Sequence, residues 1–239
     1  MLTFFRKIRR SLIESGSARK YILYAIGEVI LVVIGILIAL QINNWNEERK
    51  ERKMEKIVLE DIHDNIVRNN QLILSALQVF QEIDRSTVIV KNALKTNSPY
   101  FDSLSHHFSY AIRHGGFLLR LNSDGYESLK NAGFDIIQNE KLKDEILSLF
   151  EATYSKYLVE LEWGNGTYAG FYGWWDDYFY TTEKDELVPI DYDQILKSKT
   201  ILSKINKANV VREEIKQSIY NCLTHNNDVL QLIKVEMEE

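Results

Sequence analysis

The sequence holds a single cysteine, Cys222, among 239 residues. One thiol closes no disulfide within the chain and supplies no cysteine-based zinc site. A helical domain of this size has core enough without such staples, so the scarcity fits either side of a membrane. Prolines number two, Pro99 and Pro189, and glycines eleven. So few breakers favour long helices. There is no excess of positive charge, since the net charge is -5. No basic patch is interleaved with aromatics, and nucleic acid is not an expected partner. A nucleophile elbow, a P-loop, a Rossmann glycine pattern and an HExxH metal motif are all missing. No catalytic residue is assigned on this basis, and no metal or cofactor is expected.

What the chain does contain is one long apolar run. From Tyr21 to Ile42 the only strongly polar residues are Glu28 and Gln41. Twenty-two residues at 1.5 Å each make a helix of about 33 Å, against a hydrocarbon core of about 30 Å. Tyr21 and Tyr24 at one end and Trp45 at the other suit the two headgroup belts. A transmembrane helix is therefore predicted over residues 21–45, with the lipid bilayer as its partner. Residues 1–20 precede it as a basic amphipathic tail. Met1, Phe5, Ile8 and Leu12 share one face, with Arg6, Lys7, Arg9 and Arg10 mostly opposite. The apolar run is too long for a signal peptide, and no small-x-small site precedes Asn43, which predicts an uncleaved single-pass anchor. Six Lys/Arg lie before the span and five close behind it. That margin predicts an inner (cytoplasmic) membrane protein with its short N-terminal tail inside and its C-terminal domain periplasmic.

Two features of the span bear on partners. Gly27, Gly35 and Ala39 fall on one face, and small residues at that spacing let helix backbones approach closely. Glu28 lies beside them, and a carboxylate at membrane depth is usually paired, protonated or functional. These four residues are candidates for contact with another membrane protein or with a second copy of the chain. If the true span starts at Val29, Glu28 instead sits among the headgroups.

Residues 46–239 are expected to form a helical, bundle-like soluble domain. The fold class is thus all-α: an N-terminal transmembrane helix followed by a long-helix bundle. A long helix is predicted from about Asn46 to Lys95. Leu59, Ile62, Ile66, Asn69, Ile73, Ala76, Phe80, Ile83, Thr87, Val90 and Leu94 recur every three or four residues as one stripe. Asn69 and Thr87 are polar breaks in it. After the turn at Thr96–Pro99, helices are predicted over 100–114 and over 124–131, the second stopped by Gly133. Another is capped by Asn139, carries Leu142, Ile146, Leu149, Thr153 and Tyr157 on one face, and reaches Trp163 or beyond. A last helix begins near Asp191 or Lys199. Its seam is Ile201, Ile205, Ala208, Ile215, Ile219, Cys222, Val229 and Ile233, interrupted by Arg212 and Asn226. No strand shows convincing alternation.

Two clusters invite a chemical reading. Half of residues 163–180 are aromatic. Trp163, Tyr168, Trp174 and Trp175 could line a ligand pocket, with Asp176 and Asp177 at its mouth. The preferred alternative makes Trp163, Phe171, Trp174, Trp175 and Phe179 core that closes the end of the bundle. His106, His107 and His114 gather near Asp102. His107 and His114 are two helical turns apart, about 10 Å, too far to share an ion. Surface histidines on a polar helix are the preferred reading.

The stretches FFRKIRRSL and KYILYAIGEVILVVIGILIALQINNWNEERKE resemble the N-terminal signature of a family of uncharacterised single-pass membrane proteins from Bacteroidota. GYESLKNAG and NEKLKDEILSLFE are similar to that family's middle region. The resemblance implies membrane attachment and a helical domain, and it carries no activity. The function expected is non-enzymatic: a binding or sensor-like interaction protein of the cell envelope. The alternative is a membrane-bound metal-dependent hydrolase using Asp102 and the nearby histidines.

Overall fold

A computed structural model of the protein describes residues 18–113, 119–169 and 173–238. Residues 1–17 of the basic tail lie outside these, as do His114 and Phe171, while residues 18–20 form the start of the first helix. The chain divides into two units after Glu55.

One helix, α1, runs unbroken from Ala18 to Thr96, 79 residues. The sequence reading starts a new helix near Asn46, but no interruption occurs there. Residues 43–56 contain neither Gly nor Pro, and Glu47 pairs with Lys50 one turn on at 3.0 Å. The helix ends where Asn97 takes the left-handed conformation, φ 50°. The Ser98 N–H then donates back to the Ala93 carbonyl at 3.0 Å, closing a Schellman-type cap ahead of Pro99.

In the first unit no described residue from Ile22 to Ile42 is buried. The mean hydropathy of this part reaches 2.7. It is a helix long and apolar enough to cross a membrane.

The second unit, residues 56–239, is helical. It comprises the rest of α1, then α2 (Leu104–Phe108), α3 (Asp124–Ala132), α4 (Glu140–Leu147), α5 (Tyr154–Ala169), α6 (Tyr192–Lys197) and α7 (Lys199–Glu238). Of the predicted stripe on α1, every member is buried except Ala76, which is half-buried. The seam of α7 is buried throughout, and so are the two residues that interrupt it. Asn139 caps α4 as predicted, accepting the Leu142 N–H at 3.1 Å. Asp191 caps α6 by accepting the Gln194 N–H at 3.1 Å, so the predicted last helix is two, starting at both proposed points.

Three features go beyond the sequence reading. A π-turn, Ser148–Thr153, joins α4 to α5. Beyond Leu149, Phe150 and Tyr154 are buried and the predicted Thr153 is half-buried, while the predicted Tyr157 is buried. Next, α5 continues through Gly164 and Gly166 despite their poor propensity. A Cβ at Gly164 would run into the Ile215 side chain, so the bare backbone lets α5 lie close against α7. Finally, β1 (Phe179–Thr181) and β2 (Leu187–Pro189) pair antiparallel. Strands of three residues are too short to leave an alternation signal.

The polar breaks in the two seams meet each other. Asn69 on α1 donates to Tyr154 Oη at 3.0 Å, and that hydroxyl donates to Asn226 Oδ1 on α7 at 2.7 Å. Asn226 donates in turn to Asn70 at 2.7 Å. Asn69 also brackets the backbone of Asn122, accepting its N–H and donating to its carbonyl, both at 2.8 Å. Asn65 adds a bond to the same carbonyl at 3.1 Å and accepts the Gly125 N–H at 3.3 Å. The loop before α3 is thereby tied into the core, where each satisfied polar group avoids a desolvation cost of about 1–3 kcal/mol. Arg212, fully buried, donates to the Ala111 carbonyl at 3.0 Å. It thus meets the C-terminal end of the α2 turn, where a cation is favoured.

Cys222 lies in the same core, 1 % exposed. Burial, with Glu160 as a lesser cause, pushes its thiol up to about 12. Alkylation at pH 8 is expected to run about a thousandfold slower in the folded protein than in denaturant, because the thiolate is the reactive form. Mass spectrometry after timed iodoacetamide exposure measures the ratio. Equal rates would place Cys222 at the surface.

Candidate functional site

The aromatic stretch divides between core and surface. Trp175 and Phe179 are buried, Phe179 against Phe108 with ring centroids 4.9 Å apart. Trp174 is half-buried beneath Lys204, whose Nζ lies 5.8 Å from the ring centre. Trp163 points outward from α5, 52 % exposed, and Asp176 and Asp177 are exposed. The side chain of Tyr168 lies outside the described residues. Trp174 and Trp175 border a crevice of about 10 Å³ with Ala111, Ile112, Lys204, Ile205 and Ala208. Such a space holds about one water molecule.

In the span, a Cβ added at Gly27 or Gly35 would meet nothing within 4 Å. Ala39 is exposed and Glu28 half-buried. The small-residue face is therefore uncovered by the described part of the chain.

The histidines give a more compact arrangement. Leu104, Phe108, Ala111 and Ile112 anchor α2 and its terminal π-turn, Ser109–Arg113, in a core with Val90 and Leu94 of α1. Ser109 Oγ accepts the Leu187 N–H at 2.7 Å and so ties β2 to the same turn. With positions 104, 105 and 108 turned inward, positions 106 and 107 fall on the flank, next to Glu82 and Ser86 of α1. His106 Nε2 lies 3.3 Å from Glu82 Oε1. Ser86 Oγ donates to the same oxygen at 3.3 Å and lies 3.0 Å from His107 Nδ1. Tyr110 packs on the His106 ring, centroids 4.7 Å apart. Arg85 reaches the second Glu82 oxygen at 3.8 Å.

One ring nitrogen from each histidine and one Glu82 oxygen lie within 4.8 Å of one another. All three side chains are half-buried, so water and small solutes reach them. Burial, followed by the neighbouring His106, lowers the His107 pKa below the ordinary imidazole value, while Glu82 opposes the shift. The sequence reading groups the histidines with Asp102 and His114. Asp102 is exposed and outside the set, and His114 lies outside the described residues. Sequence spacing gives no sign of Glu82, which stands 24 positions before His106. Its i, i+4 spacing to Ser86 is commonplace on a polar helix face and signals nothing by itself.

A second polar contact joins α7 to the α4–α5 turn. His225 lies between Thr153 Oγ1 at 2.7 Å and Glu145 Oε2 at 3.2 Å. It fastens the π-turn and α4 to α7.

No curated protein and no solved structure matches the chain. Residues 28–162 match DUF6090, a family of unknown function. The matched region takes in most of α1, all of α2, α3 and α4, and α5 as far as residue 162, so it includes Glu82, Ser86, His106 and His107. The aromatic residues from Trp163 onward and all of α7 lie beyond it. Because the match spans more than half of the 239 residues, the chain belongs to the DUF6090 family.

Proposed function

We propose that the protein is a single-pass protein of the cell envelope, held in the inner membrane, that acts by binding a partner rather than by catalysis. The observation that carries the membrane reading is the exposure of α1 over its apolar run. Fourteen large apolar side chains between Ile22 and Ile42 are 47–66 % exposed. Each is worth about 1.5–3 kcal/mol when fully removed from water, so the run as a whole amounts to tens of kcal/mol. A soluble monomer rarely leaves so large an apolar surface open. The exposed residues lie on every side of the helix, whereas a docked protein covers one side. Lipid satisfies all of them at once.

Sidedness follows from the basic residues flanking the span: the tail stays inside and residues 56–239 are exported. A second helix, from another membrane protein or another copy, would approach over Gly27, Gly35 and Ala39, with Glu28 at the edge of the contact. The unbroken α1 supports a sensor-like version of the role, since a continuous helix transmits small shifts along its length.

The test uses the full chain. It is expected to stay with membranes through alkaline carbonate extraction, and removal of residues 22–42 should release it. A reporter active only outside the cytoplasm, fused after Glu239, should be active. A full chain found in the soluble fraction would overturn the anchor. A reporter active only in its cytoplasmic form would reverse the orientation.

A further inference from the structure

We propose that Glu82, His106 and His107 form a binding site for a zinc-class divalent transition metal, with Ser86 as its positioning residue. The inference is independent of the membrane reading, because all four residues lie in the second unit. Two imidazoles and one carboxylate are a donor set that suits zinc and its neighbours. Calcium and magnesium prefer oxygen throughout.

The geometry needs little adjustment. Ligand atoms about 2.0–2.2 Å from a tetrahedral ion stand about 3.3–3.5 Å apart. Here the three donor atoms lie within 4.8 Å of one another, and His106 Nε2 and Glu82 Oε1 are already at 3.3 Å. Rotations of half-exposed side chains close the remainder, while the helices that carry them stay put. Arg85, 72 % exposed, can release the second Glu82 oxygen and turn to solvent.

Ser86 touches both helices' ligands. Its hydroxyl donates to Glu82 Oε1 at 3.3 Å and lies 3.0 Å from His107 Nδ1. Such contacts orient first ligands, and their loss typically costs 10–100-fold in metal affinity. Three protein donors leave a fourth position for water or for a ligand from outside. The site is therefore open, and it joins α1 to α2. An ion there would cross-link the two elements.

The experiment uses the full chain in mild detergent, stripped with chelator and titrated with Zn²⁺ by calorimetry, with bound metal counted by mass spectrometry. One equivalent is expected. His107→Ala and Glu82→Gln should each weaken binding at least tenfold, and Ser86→Ala about tenfold. His63→Ala, at a half-buried histidine elsewhere on α1, should change nothing. Co²⁺ supplies a second readout: a visible absorption band of a four-coordinate ion, lost in His106→Gln. Circular dichroism confirms that each variant stays helical. Failure to take up stoichiometric Zn²⁺ would overturn the proposal. So would uptake that survives both His107→Ala and Glu82→Gln, since groups elsewhere would then be the ligands.

Discussion

Replacing Gly125 with valine is expected to lower the melting temperature of the full chain by about 6–20 °C, equivalent to roughly 3–5 kcal/mol in a protein of this size. The reason is backbone against backbone. Gly125 opens α3 where that helix meets α1, and its N–H donates to Asn65 Oδ1 at 3.3 Å. A Cβ at this position would lie 2.6 Å from the Asp61 carbonyl oxygen and 2.8 Å from Ile62 Cα. Neither atom can swing aside as a flexible side chain would. Relief therefore requires α3 to move off α1, and Tyr126 and Leu129, both buried, would move with it. Thermal melting followed by far-UV circular dichroism measures the shift. Gly133→Ala is the useful contrast. An added Cβ there meets nothing within 4 Å, and the cost is the strain of φ 94° alone. A Gly125→Val protein that melts with wild type would mean that α3 does not pack on α1 as described.

Phe80→Ala should destabilise the protein by about 3–5 kcal/mol. Phe80 is 1 % exposed and belongs to the larger core cluster, near the middle of the buried stripe of α1. Removing its ring takes away transfer free energy and leaves a cavity that helices on several sides cannot collapse to fill. Val79→Ala, one position round the same helix and 41 % exposed, should change stability by no more than about 0.5 kcal/mol. Denaturant midpoints of the two variants separate core from surface directly. Equal midpoints would show that the stripe does not face a packed interior.

The contrast between these two sites also separates what the residues announce from what they conceal. Phe80 was legible, because a three–four repeat carried over about five heptads puts one stripe on one face, and a stripe of Ile, Leu and Phe has to leave water. Gly125 was not. Its importance comes from residues 61 and 62, more than sixty positions earlier in the chain, and nothing near Gly125 encodes that approach. The same holds for the candidate metal site. His106 and His107 could be seen, but their third partner sits on another helix and only docking of α2 on α1 brings it to them.

By itself the sequence determined the all-α class, the position of the apolar span, the buried stripes of α1 and α7, and the cap at Asn139. Each of these rests on neighbours within one or two helical turns, so local spacing suffices to read them. Tertiary structure decided the rest. Asn69 and Asn226 look like flaws in two separate seams, yet both bond to the Tyr154 hydroxyl in the core. Tyr154 itself stands one position past Thr153, the residue that helical spacing picks out. Glu82 became a candidate ligand only through packing. The physical reason is common to all three. A hydrogen bond or a coordination site depends on distance in space to within a few tenths of an ångström, and that distance exists only after the helices have docked.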